Sequence, residues 1–475
     1  MTLLVHNDRV DSMSDVQHTI AQLRQALGDE QVLTGDAISP RHFSDWTRHA
    51  PACPAALLLP TSTEHISLAL RICNAAGQAV VPQGGMTGLA GGAVPRPTDI
   101  ALSLDRLHGI EEIDTAAATV SVRAGTTLEA IQHAVADAGF LFPLDLGARG
   151  SCQIGGNIAT NAGGNAVIRY GMTRDLVLGL EVVLADGRVL DLMNKMIKNN
   201  CGYDLKQCFI GSEGTLGVIT RAVLKMAPPP GPTTTLLCAL PDYASAVALL
   251  RRLQSGVGTP QAYELMWQDF FRLGVSWLGG SGSEKPVAPM PDHHPLYVLL
   301  ESAGPGDALE RTVEAAMEAG EVVDAVLATS QAQARGLWKI REATGEFPQR
   351  LAPLNFDISL PIARIGEFAE RCRQRIDARW PGNRSVYFGH IGDSNLHLTV
   401  DCNSLPQPPP VQEIEELVYS AVGELGGAVS AEHGIGLLKR EFLHHSVSAE
   451  ALQVMAELKR SFDPNGILNP GKILG

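Results

Sequence analysis

Three stretches of small residues in the first half of the chain constrain its fold more than any other feature. They are PQGGMTGLAGG (82–92), RGSCQIGGNIATNAGGNAVIRYG (149–171) and GSEGTLGVIT (211–220). The first follows a short apolar strand over 79–81, and glycines placed there let backbone N–H groups converge on a phosphate oxygen. It matches neither G-x-G-x-x-G nor the lysine-bearing phosphate loop, because no lysine follows and the next residues, PRPTD, break a helix. A dinucleotide on a fold other than the Rossmann type is one reading, and a simple turn is the other. The second stretch carries six glycines and three asparagines, and the third leads into an apolar strand. Three such loops in one domain imply backbone wrapped closely around an extended ligand, which turn chemistry alone does not explain.

A chain of 475 residues is too long for one core, so two domains are expected. The net charge of −14, with no basic stripe, argues against nucleic acid as a partner. Residues 1–13 include His6, Asp8, Arg9 and Asp11 without an apolar run, so no signal peptide is expected there. No window is long and apolar enough for a membrane span. The eight cysteines form no Cys-x-x-Cys pair, and the nearest two, Cys201 and Cys208, fit no metal pattern. They read as free thiols in a reducing cytoplasm.

Along the chain, Ser14 with Gln17 makes a capping box for a helix to residue 27. Helices are expected over 65–76 and 127–138, a strand over 118–122, and a hairpin of 178–184 with 189–192 across the turn 185–187. The proline-rich APPPGPTTT (227–235) marks a boundary. Beyond it a strand-then-helix unit recurs. Strand 235–240 leads to a helix ending at 253, 296–301 to one ending at 319, and 355–360 to one ending at 376. The hairpin described next is followed by a helix over 411–425. This pattern predicts an antiparallel sheet backed by helices on one face. The loops 279–295 and 402–410 are each either a lid or simply mobile.

The hairpin is YFGHIGDSNLHLTV (387–400), with His390 and His397 seven apart. Gly389, Gly392 and the Asp-Ser-Asn run make poor helix and good turn. In one continuous strand an odd separation would put the two rings on opposite faces. Strand 385–390, turn 391–395 and strand 396–400 remain, and the turn can set the rings side by side. Leu396, Leu398 and Val400 then share one face, with His397 and Thr399 on the other. Taken alone, the pair is either a ligand set or ordinary structural polarity.

In order along the chain, PQGGMTGLAGG, SCQIGGNIATNAGGNAVIRYG, GYDLKQCFIGSEGTLGVIT, GHIGDSNLH, SAEHGIG and DPNGILNPGK resemble the FAD-linked D-2-hydroxy-acid dehydrogenases. That family includes D-2-hydroxyglutarate dehydrogenase, D-lactate dehydrogenase and the flavin subunit of glycolate oxidase, within the vanillyl-alcohol oxidase flavoprotein group. The resemblance covers roughly residues 40–475. It implies an α+β chain with a two-subdomain FAD-binding domain of the PCMH type over 1–228, its core at about 50–228. A substrate (cap) domain follows over 229–429, with an antiparallel sheet backed by helices. A C-terminal segment, 430–475, is expected to return to the FAD domain.

Carried over residue by residue, the resemblance places the pyrophosphate on Pro82, Gln83, Gly84, Gly85, Met86, Thr87, Gly88 and Leu89. The ribityl chain and isoalloxazine would lie along Gly156, Asn157, Thr160, Asn161, Gly163, Gly164 and Tyr170, with Pro143 and Ser151 nearby. Gly214 and Ile219 fall on the adenine or pyrophosphate side, and Asn469 reaches the flavin. Met86 stands where relatives with covalent flavin can carry a histidine, and a thioether cannot make that link, so FAD is expected to be non-covalent. The resemblance also makes His390, His397 and Glu432 the ligands of a divalent metal, Zn2+ before Mn2+. Two imidazoles and a carboxylate leave such a site open to substrate. A 2-hydroxy acid chelating that metal has its hydroxyl acidified. His433 then takes the proton while the C2 hydrogen leaves as hydride to flavin N5. Asn395 is expected to hydrogen-bond the substrate.

WKIREATGEF (338–347) matches the stretch where relatives hold the substrate carboxylate, giving Arg341 with Thr344 one turn on. Relatives acting on dicarboxylates resemble K-x-D-x-S-x-P, and here Asn355 replaces the lysine. That loss favours a monocarboxylate or an uncharged tail over hydroxyglutarate. Two other readings compete: a flavin subunit inert without partner chains, as in a glycolate-oxidase-like complex, and a colourless zinc hydrolase whose glycine loops are only turns. No second redox centre is visible, so electrons are expected to leave to an electron-transfer protein or a quinone. A homodimer is expected from class alone.

Overall fold

The computed structural model describes residues 13–278, 288–304 and 306–474, the side chains of the first two excepted. The Ser14 capping box and the first part of the 279–295 loop therefore lie outside the described residues. Three sheets organise the chain. In the first, strands Ala56–Leu58, Ile100–Ser103 and Val80–Gln83 run parallel, and Val32–Leu33 joins antiparallel at the edge. Val80–Gln83 delivers the first glycine stretch at its C-terminal end. The second sheet is fully antiparallel, in the order Ile110–Asp114, Thr119–Arg123, Val218–Lys225, Val177–Val183, Val189–Leu192.

These two sheets share one apolar core, which includes Leu70, Val80, Leu102, Val122, Ile154, Leu180 and Phe209. Ile467 and Leu468, near the end of the chain, are buried in the same core. There the Val80 N–H donates to the Ile467 carbonyl at 2.8 Å, and the Asn469 N–H donates to the Val80 carbonyl at 2.8 Å. The second glycine stretch is not all loop. It contains the short helices Ile154–Ala159 and Val167–Tyr170.

The third sheet has seven antiparallel strands, in the order Asp324–Leu327, Thr233–Leu240, Leu296–Ala303, Ala262–Trp267, Ser385–His390, Asn395–Asp401, Pro353–Ser359. Strict alternation divides its side chains between two faces. Leu236, Cys238, Val298, Leu300, Tyr387, Leu396, Leu398 and Val400 pack under the helices Tyr243–Gly256, Gly306–Glu318, Ile362–Arg379 and Val411–Glu424. The expectation of helices on one face alone needs correction. Leu237, Tyr297, Leu299, Met266 and Phe388 form a second core on the opposite face, with the helices Gln268–Trp277 and Gln331–Arg341. In WQDFFRLGVSW and QAQARGLWKIR, only Phe270, Phe271, Val275, Leu337 and Ile340 become core residues. Those few positions per helix are a weak signal beside the long apolar strands. On the same face of the strands beyond Phe388 stand polar side chains, and this is where the site forms.

Candidate active site

Four strands present a polar row on the face of the third sheet that carries Phe388. Tyr263 and Leu265 point into the helical core, so Glu264 points the other way, and the same parity applies to His390, His397 and Asp357. The register sets Glu264 opposite His390, Phe388 opposite His397, and His397 opposite Asp357. The turn between His390 and Asn395 is a single 3-10 turn, Ile391–Asp393, closed by Ser394 in the left-handed region at φ 75°. His390 and His397 end up with ring centroids 5.4 Å apart and planes at 83°.

The row is heavily charged and largely buried. His390 Nδ1 donates to Glu264 Oε1 at 2.6 Å, while Arg341 Nε donates to Glu264 Oε2 at 2.8 Å. Burial pushes the Glu264 carboxyl up, but His390 and Arg341 outweigh it and hold it at about 2. Burial pushes His390 down, and the Glu264 carboxylate more than reverses this, raising it to about 9. Burial also lowers His397 well below the usual imidazole range despite Asp357 beside it. Arg341 is 8% exposed, and its guanidinium lies over the Phe388 ring at 4.8 Å. An exposed surface role for this arginine is excluded. Thr344 follows in the 3-10 turn Glu342–Glu346, half-buried.

The SAEHGIG segment, without regular structure, hangs between two buried carboxylates. Asp357 Oδ2, from the third sheet, accepts the N–H groups of Glu432 and His433, both at 2.9 Å. Glu213, from the third glycine stretch, accepts those of Ile435 and Gly436 at 2.7 and 2.8 Å. Glu432 Oε1 in turn accepts the Gly164 N–H at 3.1 Å. The His433 ring lies 6.4 Å from that of His397, and burial lowers it despite Asp357. Lys439 Nζ, also buried, sits 3.6 Å from Asp357 Oδ2 and donates to the Asp357 carbonyl and to Ser430 Oγ. Asp357 is held ionised, below the usual carboxylate range: burial opposes this, and His433, Lys439 and His397 prevail.

Glu432 and His433 line a cavity of about 350 Å³ together with all three glycine stretches. Of the expected cofactor residues, Pro82, Gln83, Gly84, Gly85, Met86, Thr87, Gly88 and Leu89 line it, as do Gly156, Asn157, Thr160, Gly163, Gly214 and Ile219. Ser151 lines a neighbouring cleft that shares Gly85, Met86, Trp46 and Gln153 with it. Pro143, Asn161, Gly164, Tyr170 and Asn469 line neither. Asn469 acts from behind, donating to the carbonyls of Gly92 and Glu213 at 2.9 and 2.7 Å.

The walls fit a large polar cofactor. Gln153 Oε1 and Asn157 Oδ1 are buried without a partner among the described residues, and both residues line the cavity. Leaving such atoms unpaired costs about 1–3 kcal/mol each, which a ligand's hydroxyl and amide groups recover. Met86 and Glu213, at φ 60° and 50°, are held in strained backbone at this same wall.

A divalent cation also fits the donor chemistry. Asp357 Oδ1 is buried and unpartnered, 3.9 Å from His397 Nδ1. Among the described residues, the three donors that approach within 4.8 Å of one another are Asp357, Glu432 and His433. Glu432 thus belongs to both this group and the expected set with His390 and His397. Both side-chain polar atoms of Asn395, 3% exposed, have no partner either. Asn355 is exposed, and its Oδ1 accepts from Thr399 Oγ1 at 2.8 Å.

Sequence reasoning missed Glu264, Asp357, Glu213 and Lys439 as site residues. For the first two a signal existed: each is a carboxylate set directly between two large apolar residues of a strand, in AYELMW and NFDISL. A buried charge of that kind needs a partner. Glu213 and Lys439 carry no such mark, because their partners are distant in sequence.

Known proteins bear on the whole chain. Residues 54–193 match a family described as FAD binding domain, and residues 229–473 match FAD linked oxidases, C-terminal domain. A D-2-hydroxyglutarate dehydrogenase of Xanthomonas citri pv. viticola is 38% identical over 96% of both chains. A mitochondrial protein of the same description from Bos taurus is 38% identical over 96% of this chain and 83% of its own. Among solved structures, 4-ethylphenol oxidase from Gulosibacter chungangensis superposes with a TM-score of 0.75 at 19% identity, over 97% of both chains. p-Cresol methylhydroxylase gives 0.75 at 17% identity, again over 97% of both. At those identities the likeness is one of fold, and the fold is the PCMH type.

Proposed function

The chain belongs to the family of FAD-linked oxidases and is an oxidoreductase, and on that premise we propose that it oxidises a D-2-hydroxy acid to the 2-oxo acid. The observation that carries this reading is the meeting of the glycine-lined cavity with the histidine row at Glu432 and His433. When bound, FAD supplies the acceptor for the C2 hydrogen as hydride, and a divalent metal, zinc before manganese, supplies a Lewis acid at the hydroxyl. FAD would be held non-covalently by the three glycine stretches, and the metal by His390, His397 and Glu432, with Asp357 beside them.

His433 takes the hydroxyl proton. Its burial lowers the imidazole below its usual range, which favours the proton-accepting form, and the Asp357 carboxylate fixes its backbone. Arg341 holds the substrate carboxylate, with Thr344 beside it and the unpartnered amide of Asn395 donating to the substrate. Two observations pull on the rest of the substrate in opposite directions. The names of the relatives favour 2-hydroxyglutarate, whereas Asn355 offers no charge for a second carboxylate. Lys439 does not replace it, since its ammonium is committed to Asp357 and Ser430.

Electrons leave to a separate carrier protein or a quinone. No helix among the described residues is long and apolar enough to cross a membrane. The eight free cysteines support a reducing compartment, and we place the chain in the cytoplasm. The test is a panel of D- and L-2-hydroxy acids, mono- and dicarboxylic, mixed anaerobically with the FAD-loaded chain. The proposal expects flavin bleaching by D-acids alone, without any other subunit. Bleaching by no member of the panel would overturn it.

A further inference from the structure

One carboxylate of the polar row, outside both the cavity and the expected ligand set, is paired with His390 on one side and Arg341 on the other. Glu264 is 1% exposed, and both of its oxygens are engaged, Oε1 by His390 Nδ1 at 2.6 Å and Oε2 by Arg341 Nε at 2.8 Å. We propose that Glu264 is a positioning residue that ties the arginine for the substrate carboxylate to the histidine that holds the metal, so that one side chain sets both. The inference rests on the metal-assisted reading above.

The geometry carries it in three steps. First, Glu264 and His390 are directly paired across neighbouring strands, so the backbone itself fixes their approach. An imidazole that donates Nδ1–H to a carboxylate presents the lone pair of Nε2, and such a partner both orients the ring and strengthens it as a ligand. Second, the bond to Arg341 uses Nε alone. The two terminal guanidinium nitrogens make no hydrogen bond among the described residues, and stacking over Phe388 at 4.8 Å restricts the plane. A planar fork held at Nε points its remaining donors in one direction. Third, folding does not call for a charge here. Met266, Phe388 and Ile340 surround the pair with apolar core, where hydrophobic residues of similar volume serve as well as an ion pair.

Three variants test this, each loaded with FAD and assayed for metal affinity by competition with a chromophoric chelator and for substrate KM. Glu264→Gln keeps the volume but cannot accept from both partners. It is expected to lose roughly 10–100-fold in metal affinity and to raise KM about tenfold, with flavin content and circular dichroism unchanged. Arg341→Met is expected to raise KM while metal affinity stays within about twofold, since Glu264 still orients His390. The double variant Glu264→Gln/Arg341→Met removes the guanidinium that the first leaves unpaired, so it guards against misfolding, and it is expected to keep the metal defect. Glu264→Gln binding metal as tightly as wild type, or a double variant that regains full affinity, overturns the proposal while leaving the activity intact. A wild-type chain that takes up no metal at all defeats the metal reading first, and this inference with it.

Discussion

Asp357→Asn removes one charge from the centre of the site and changes almost nothing else in shape. The amide oxygen can still accept the N–H groups of Glu432 and His433, now at 2.9 Å each from an ionised acceptor. Hydrogen bonds to a charged acceptor contribute about 1.5–3 kcal/mol against about 0.5–1.5 for a neutral one, so the pair loses roughly 2 kcal/mol together. The larger effect falls on Lys439, 5% exposed and 3.6 Å from the carboxylate. Breaking a buried ion pair by removing one partner costs about 3–5 kcal/mol. The sum, on the order of 5 kcal/mol, is a large share of a typical folding stability of about 5–15 kcal/mol. In a domain of this size it corresponds to a fall in Tm of roughly 10–20 °C. Thermal unfolding followed by circular dichroism reads it directly. The double variant Asp357→Asn/Lys439→Met should recover most of the loss in Tm yet remain slow, because the turn carrying His433 is still loosely held. An Asp357→Asn protein that melts within a degree or two of wild type would rule out a stabilising buried charge pair here, as would a double variant no more stable than the single.

The Glu264–His390 pair makes stability depend on pH in the metal-free protein. Glu264, at about 2 against an ordinary 4.5, contributes above the latter and loses that contribution as pH falls toward 2. His390, at about 9 against 6.5, contributes below 6.5 and loses it as pH rises through 9. The stability difference between wild type and Glu264→Gln should therefore be largest between pH 4.5 and 6.5, on the order of 3 kcal/mol, and shrink by pH 10. A difference that stays flat across the alkaline limb contradicts this. At the cofactor wall, a Cβ on Gly156 meets no protein atom within 4 Å and would project into open cavity, whereas one on Gly85 collides with the Ser151 carbonyl. Gly156→Val should fold with the Tm of the flavin-free wild type but retain no flavin absorbance, and full flavin occupancy would count against the assigned cradle.

Much of this arrangement was legible in residues 387–400 alone. Alternation put Leu396, Leu398 and Val400 on the core face and His397 opposite them, and a turn was the only way to bring His390 alongside. The glycine stretches announced a ligand because their composition serves little else. Glu264 and Asp357 were harder to see, because their meaning lies in pairing across strands over a hundred residues apart in sequence, between Glu264 and His390, and in contact with a loop 75 residues on. The helices on the second face were missed for a different reason. Gln268–Trp277 buries only Phe270, Phe271 and Val275 in that core and Gln331–Arg341 only Leu337 and Ile340, so the apolar signal of each is short. Asn355, where the resemblance puts a pocket lysine, is exposed and bonded to Thr399.

In the proposed reaction a metal held in the histidine row works together with the flavin on one substrate. Its most direct test is the rate of anaerobic flavin bleaching by the best D-2-hydroxy acid, measured on the loaded chain, after chelation, and after zinc is restored. A loss of at least about a hundredfold is expected on chelation, with flavin still bound, and recovery with zinc. A chelated, metal-free protein that bleaches at the original rate would contradict it.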